Sequence, residues 1–164
     1  MSVNGILCLV TTLFAVLTLA ACQGARTRSW FGPGCPDPRL GLAFAGQGAR
    51  DCGVFDDASR GSSRTVGRCA REMVATSQAF RVGQSARGPD GFYCDLAVRR
   101  ADGSLWAINL WADYSAPVGE SGGLYVARCK AIRLSAEPAA DRRLFDLEEC
   151  VFDESAFAEV VATP

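Results

Sequence analysis

Apolar residues recur at the spacing of an α-helix between residues 64 and 80. They form one mostly apolar stripe, which comprises Val66, Cys69, Ala70, Met73, Val74, Ser77 and Phe80. Such a stripe is typical of a helix that packs one side against a core. Ser62 or Ser63 can cap the first turn, because a serine oxygen accepts a hydrogen bond from a free backbone N–H. The pattern predicts one amphipathic helix over residues 64–80.

After a loop over residues 83–91 the apolar residues alternate, as they do in a half-buried strand. One strand is predicted from residue 92 to residue 99, and Asp102-Gly103 then gives the signal of a hairpin turn. The return strand runs to residue 114. Further strands are predicted over 124–134 and 144–152, followed by a short helix over 155–162.

The order of these elements predicts an α+β fold. One amphipathic helix packs on an antiparallel meander of three to four strands, stapled by disulfides. The segment from Gly32 to Gly53 is rich in glycine and proline, so irregular structure is expected there.

The two faces of the predicted sheet differ in composition. The face of Trp106, Ile108 and Leu110 is the more continuously apolar, and we expect it to pack on the helix stripe with Met73 and Phe80. The opposite face then carries a candidate binding surface, formed by Tyr93, Asn109, Trp111 and Asp113, with Tyr125 beside them if the third strand pairs in matching register. Aromatic rings mixed with amide and carboxylate groups are typical of recognition surfaces. The alternative is that residues 35–50 or the C-terminal helix cover this face and make Trp111 part of the core.

The N-terminal region has the pattern of an export signal. Residues 6–21 are almost wholly apolar, but sixteen helical residues span only about 24 Å, short of the ~30 Å hydrocarbon core. The run ends in Leu19-Ala20-Ala21-Cys22, which resembles the lipobox of bacterial lipoproteins. An uncleaved anchor is the alternative, because residues 1–5 carry no Lys or Arg; it would leave six cysteines in a reducing compartment.

The lipobox resemblance implies a particular domain organisation. Residues 1–21 would be a signal peptide that is cleaved off, residues 22–34 a tether lipidated on Cys22, and residues 35–164 a single disulfide-bonded domain. Gln23 after the lipidated cysteine resembles the pattern of lipoproteins sent to the outer membrane of Gram-negative bacteria. The expected location is therefore the periplasmic side of the outer membrane, with the lipid anchor as the contact to the membrane.

Apart from the lipidated Cys22, six cysteines remain in the expected mature chain, namely Cys35, Cys52, Cys69, Cys94, Cys129 and Cys150. An even number in an exported domain predicts three disulfides, which can be connected in 15 ways. We favour a Cys52–Cys69 bond, which would tie the glycine-rich segment to the buried face of the helix. Zinc is disfavoured, because the nearest cysteines are seventeen positions apart and the chain has no histidine. No metal and no cofactor are expected.

The composition gives little support for catalysis or for nucleic-acid binding. The formal net charge is −1, so no general attraction to nucleic acid is expected. Gly119-Glu120-Ser121-Gly122-Gly123 resembles the nucleophile elbow and a stretch of the trypsin-like proteases. Both families use histidine as the base, and this chain has none. The chain is therefore not expected to be an enzyme, although an enzyme of unidentified type is kept as the third hypothesis.

Ser121-Gly122-Gly123-Leu124-Tyr125 resembles the Ser-Gly-x-x-Tyr loop that periplasmic lysozyme inhibitors insert into the lysozyme cleft. This resemblance implies that residues 115–125 protrude as a loop. It is the alternative to our main hypothesis, a lipid-anchored periplasmic protein with a non-catalytic binding or structural role. The expected partners are the membrane, through the lipid anchor, and an envelope protein.

Overall fold

A computed structural model of the chain describes residues 35, 38–56, 60–113 and 122–162. The expected signal peptide, the tether, the lipidation site Cys22 and residues 115–121 lie outside them. The described residues form four helices, which are α1 (Pro38–Ala45), α2 (Arg60–Thr76), α3 (Pro138–Asp141) and α4 (Glu154–Ala162). They also form eight strands, which are β1 (Arg50–Asp56), β2 (Phe80–Arg87), β3 (Gly91–Arg99), β4 (Leu105–Asp113), β5 (Gly122–Cys129), β6 (Ala131–Leu134), β7 (Phe145–Glu148) and β8 (Val151–Phe152).

Six of these strands make one sheet in the order β1-β2-β3-β4-β5-β8, and β6 pairs with β7 in a separate ribbon. The mixed α+β class predicted from the sequence is confirmed. Strands β2 to β5 form an antiparallel meander, but the sheet is wider than the predicted three to four strands. It gains β8 at one edge and β1, parallel to β2, at the other. A parallel neighbour needs a crossover connection, which α2 provides.

The prediction of irregular structure from Gly32 to Gly53 is wrong where α1 and β1 form. Strand β1 lacks the alternation of apolar and polar residues that predicts a strand, because its pairing with β2 is interrupted between Asp51 and Val54. Gly53 has a φ of 83° at this bulge, a conformation that glycine adopts without steric cost. As a result Cys52 and Phe55 are both buried, although residues three positions apart in a regular strand would point to opposite faces.

The predicted helix over 64–80 ends earlier than its apolar stripe suggests. Ser77 has a φ of 56°, and a left-handed residue at this place terminates an α-helix. Phe80 is therefore the first residue of β2, and the loop predicted over 83–91 is mostly strand. Phe80 still packs in the same core cluster as Met73, so a strand residue completes the apolar stripe of the helix.

The helices cover the sheet on the opposite faces from those predicted. Trp106, Ile108 and Leu110 pack against α1 and α4, through Leu40, Phe44, Ala45, Ala156 and Val160. Helix α2 packs on the other face, against Phe80, Val82 and Ala97. The expectation that the Trp106 face meets the α2 stripe is wrong, because α2 crosses from β1 to β2 on the other side of the sheet. The alternative cover for the Tyr93 face is also wrong, since α1 and α4 pack on the Trp106 face.

The third and fourth predicted strands are each divided by a change of direction. The third stops at Cys129 and resumes as β6 after Lys130, and the fourth is split into β7 and β8. Ile132 of β6 and Leu147 of β7 pack against the sheet residues Leu105, Ala107 and Ala127. The ribbon thus covers the same sheet face as α2, and it leaves the Tyr93 end of that face open.

Three disulfides join Cys35 to Cys94, Cys52 to Cys69 and Cys129 to Cys150. The Cys52–Cys69 bond links β1 to α2, as the sequence predicts. Cys35–Cys94 fastens the segment before α1 to β3, and Cys129–Cys150 connects the end of β5 to the segment between β7 and β8. Among the described residues, no helix is long and apolar enough to cross a membrane.

Candidate functional site

The five residues of the predicted binding surface follow neighbouring strands on one face of the sheet. Tyr93 lies directly opposite Trp111, and Asn109 lies opposite Tyr125. The exposed fractions are 55% for Tyr93, 46% for Trp111 and 39% for Tyr125. Asp113, half-buried at the end of β4, pairs with Gly91. The strand pairing therefore brings these residues together, and all three aromatic rings of the surface are accessible to solvent.

Trp111 is seated over a glycine on the neighbouring strand. A Cβ atom on Gly123, the residue opposite Trp111, would overlap Nε1 of the indole and lie 2.7 Å from its Cε2 atom. Any other residue at this position would have to displace the ring, because real Cβ contacts are not this short. Gly123 therefore lets the indole lie against the backbone of β5 while about half of the side chain remains exposed.

A row of polar side chains crosses the sheet beside these rings. Asn109 donates a hydrogen bond of 2.7 Å from Nδ2 to Oδ1 of Asp95, and Gln84 donates one of 3.3 Å from Nε2 to Oδ2. Both oxygens of the Asp95 carboxylate are thus held in place. Each carboxylate oxygen can accept a second hydrogen bond, so the group can still bind a donor from a ligand.

Gln84 connects this row to the chain that precedes and begins β7. Its Oε1 atom accepts hydrogen bonds from the backbone N–H groups of Leu144 (2.9 Å) and Phe145 (3.1 Å), and its Nε2 atom also donates to the carbonyl oxygen of Phe145. The amide is fully used by these contacts and by Asp95. Gln84 therefore has a positioning role, since it holds both walls of the site together.

An open groove of about 400 Å³ lies between the sheet and the α3–β7 segment. Tyr93, Gln84 and Asp95 line its sheet side, and Asp141, Arg142, Arg143 and Asp146 line the other side. A second depression of about 220 Å³ continues it towards Asn109 and Phe145 and shares Gln84, Asp95 and Asp146. The two together follow the polar row, and the volume of the larger one is comparable with that of small-molecule sites.

Three of the four charged side chains on the far wall have a hydrogen-bond partner, and two of them, Arg143 and Asp146, form an ion pair with each other. Arg143 donates to Asp146 over 2.6 Å, and Ser135 donates to Asp141 over 2.6 Å. The hydrogen bond and the charge of Asp146 raise the pKa of Arg143, with smaller contributions from Asp141 and Asp95. Arg142 is exposed and has a φ of 53°. The wall therefore offers the held guanidinium group of Arg143 and the exposed one of Arg142 across from the Asp95 acceptor.

Sequence reasoning finds the aromatic part of this site and misses most of the polar part. Asp95 falls on the same face as Tyr93 by the strand alternation, but Gln84 falls in a predicted loop, and nothing in the sequence pattern places residues 141–146 near Asp95. Four residues of the lysozyme-inhibitor motif, Gly122 to Tyr125, belong to strand β5 and pair with β4. Ser121 and the expected lipidation site Cys22 lie outside the described residues.

In the parts of the chain that the structure describes, no group of three or more His, Cys, Asp or Glu side chains is arranged to hold a metal ion. No known protein family, curated protein or solved structure matches the chain.

Proposed function

We propose that this chain is the precursor of a bacterial lipoprotein, anchored by lipid at Cys22 in the outer membrane, whose domain binds an envelope component in the periplasm without catalysis. The observation that carries the binding role is Trp111, a half-exposed ring seated over Gly123 beside the fixed carboxylate of Asp95.

The arrangement of the rings supports binding. Single exposed apolar residues are ordinary on protein surfaces, but three aromatic rings on one sheet face beside a groove are not explained by chance exposure. Trp and Tyr are the residues that most often dominate binding energy at interfaces. Because Trp111 and Asp95 are held by their neighbours, little conformational entropy is lost when a ligand contacts them.

The disulfides support an exported location. The six cysteines of the expected mature chain other than Cys22 are all paired, and structural disulfides persist mainly in oxidising compartments such as the bacterial periplasm. The lipobox resemblance of Leu19-Ala20-Ala21-Cys22 is the basis for the anchor, and Gln23 is the basis for the outer membrane.

The chemistry of the groove supports a non-catalytic role. Asp95 is held by two amide donors, Asp146 is paired with Arg143, and Asp141 accepts from Ser135. Groups fixed in this way orient a ligand but are poor proton carriers. The sequence also has no histidine, the residue that serves most often as a general base.

Photo-crosslinking in cells tests this proposal. A benzophenone amino acid placed at Tyr93 should give a covalent adduct of higher mass, because the ring would lie within reach of the bound component. The matched control is the same amino acid at Val161, which is 42% exposed on α4, the helix that packs on the other face of the sheet. Adduct at 93 and none at 161 supports the proposal; equal yields or no adduct at either position contradicts it.

A further inference from the structure

We infer that the ligand of this groove is a chain of uncharged sugars, which stacks on Trp111 and directs hydroxyl groups to Asp95 and to the arginines of the far wall. The inference rests on the proposed function, because it names the ligand class of that same site. It follows from three properties of the site: an aromatic edge, formed by Tyr93 in the groove lining and by Trp111 and Tyr125 beside it, the polar floor of the groove and the balance of charge in its lining.

The aromatic edge fits the flat side of sugar rings. A pyranose presents C–H groups on its face and hydroxyls around its rim, so it can lie on an aromatic ring while its rim makes hydrogen bonds. Trp111 and Tyr93 are cross-strand neighbours, and Tyr125 lies one strand further and two residues along. From strand spacing and rise, Tyr93 and Tyr125 are separated by about 12 Å. One sugar ring does not cover this distance, so a chain of sugars is expected.

The polar floor fits the rim of such rings. Hydroxyl groups donate and accept, and the groove offers an acceptor, Asp95, on one side and donors, Arg142 and Arg143, on the other. Neighbouring hydroxyls of one sugar can therefore be satisfied from both walls at once. Gln84 fixes the spacing of the walls, because it hydrogen-bonds to Asp95 and to the backbone of Leu144 and Phe145.

The charges of the groove disfavour anionic ligands. Its lining contains the carboxylates of Asp95, Asp141 and Asp146 and the guanidinium groups of Arg142 and Arg143, of which Arg143 is already paired with Asp146. A phosphate-rich ligand such as nucleic acid would meet an excess of one carboxylate. An uncharged ligand is not repelled by this excess, and the carboxylates and guanidinium groups can serve it as hydrogen-bonding groups.

A peptide ligand fits the same face less well. An extended peptide usually adds to a free strand edge, whereas β3 and β4 are each paired on both sides. A helical peptide needs an apolar groove, and the floor here consists of Gln84, Asp95 and Asn109. A peptide partner would instead appear as a protease-sensitive adduct in the crosslinking experiment.

Calorimetric titration of the full-length protein, purified from membranes in detergent, tests the inference. The probes are chitohexaose and cellohexaose at millimolar concentrations, with a hexanucleotide as an anionic comparison. We expect binding of at least one oligosaccharide, and Trp111→Ala should weaken it roughly tenfold or more, as truncation of a central aromatic residue does. Val161→Ala is the control and should leave the affinity unchanged.

A second variant keeps the indole of Trp111 and changes only the glycine against which it packs. Gly123→Ala should weaken oligosaccharide binding as well, because the added methyl group displaces the Trp111 ring from β5. An affinity that is the same in the wild type, Trp111→Ala and Gly123→Ala, or no binding of either oligosaccharide, overturns the inference. Preferential binding of the hexanucleotide overturns it too.

The crosslinked adduct at position 93 separates the two proposals. If it is shortened by a glycosidase and not by a protease acting on the partner, both proposals are supported. An adduct that contains a protein overturns the sugar inference while the binding role stands. The absence of any adduct overturns the binding role itself.

Discussion

Arg81 donates a hydrogen bond of 2.8 Å from Nη1 to Oδ1 of Asp51, the residue opposite it on the neighbouring parallel strand. The side chain of Arg81 is 1% exposed, and that of Asp51 is 37% exposed. Nε and Nη2 of Arg81 are buried and have no hydrogen-bond partner among the described residues. Asp51 is therefore the carboxylate that neutralises a guanidinium group otherwise buried beneath α1, where Gly41 lies against its side chain.

Replacing Asp51 by Asn should destabilise the fold by about 1 to 3 kcal/mol, because Asn keeps a hydrogen-bond acceptor but removes the compensating charge. This loss of unfolding free energy is smaller than the full cost of an uncompensated buried charge, since water partly screens the exposed side of Asp51. Urea unfolding of the wild type and the variant measures this difference in stability. Glu149→Gln, which breaks the exposed pair with Lys130, is the control and should change the stability little. Equal effects of the two variants would contradict the role of Asp51.

Substitution of two tryptophans compares a residue of the core, Trp106, with a residue of the open sheet face, Trp111. Trp106 is 7% exposed, packs edge-on against Phe44 and donates from Nε1 to Oγ of Ser104. Trp106→Ala should cost about 3 to 5 kcal/mol of unfolding free energy. Trp111→Ala should cost less than about 1 kcal/mol, so its melting temperature should stay close to that of the wild type. A fall of many degrees for Trp111→Ala would place the ring in the core and remove this face from consideration.

The N-terminus of α4 should make stability depend on pH in acid. Asp153 accepts hydrogen bonds from Oγ of Ser155 and from the N–H of Ala156, and these bonds lower its pKa below the ordinary value of 3.8. The folded state therefore binds this proton more weakly than the unfolded state. The stabilisation is fully present above the ordinary pKa and is lost as the pH falls through the lower pKa of the folded state.

Asp153→Asn tests this dependence, because Asn also caps a helix but does not titrate. The melting temperature of the variant should fall less steeply below about pH 4 than that of the wild type. Asp102→Asn should act in the same direction, since hydrogen bonds from Ser104 lower the pKa of Asp102. Melting curves that shift in parallel at all pH values would show that the carboxyl group of Asp153 does not contribute in this way.

Cys22 should be required for processing of the precursor. In Cys22→Ser the uncleaved chain with its signal should accumulate and should incorporate no labelled fatty acid, because the lipidated sulfur is missing. Two or more acyl chains give stable anchoring, so the wild type should remain with the membrane after a salt wash. Cys8→Ser, inside the expected signal peptide, is the control and should be processed normally. Normal cleavage and secretion of Cys22→Ser would disprove the lipoprotein assignment.

The sequence predicts those parts of the fold that depend on local patterns. The hairpin at Asp102-Gly103, the alternation of β3 and β4, the helix over most of 64–76 and the α+β class follow from periodicity and turn chemistry. The bulge at Gly53 removes the alternation of apolar and polar residues from β1. The left-handed Ser77 ends the helix before Phe80, although Phe80 continues the apolar spacing of that helix. Neither conformation has a strong sequence signal, because Ser77 is not a glycine and Gly53 lies in a glycine-rich segment.

The parts of the fold and of the site that the sequence does not predict depend on long-range packing. The alternation of β3 and β4 places Tyr93, Asn109 and Trp111 on one face, and the sequence alone therefore identifies the aromatic half of the site. Which face a helix covers depends on the connection of β1 to β2, and periodicity does not report it. The far wall of the groove comes from residues 141–146, about fifty positions along the chain from Asp95 and brought there by the hydrogen bonds of Gln84.

The Cys35–Cys94 bond also determines how the domain would respond to mechanical load. In a chain anchored at Cys22 as proposed, tension in the tether passes from Cys35 across the disulfide directly to β3, so the chain between these two cysteines, which are 59 positions apart, is bypassed. Strand β3 lies between β2 and β4, so the load enters the sheet at an interior strand and not at an edge strand. Tyr93 is adjacent to Cys94. A ligand held there would pull on nearly the same point as the membrane, and the rest of the fold would remain unloaded between them.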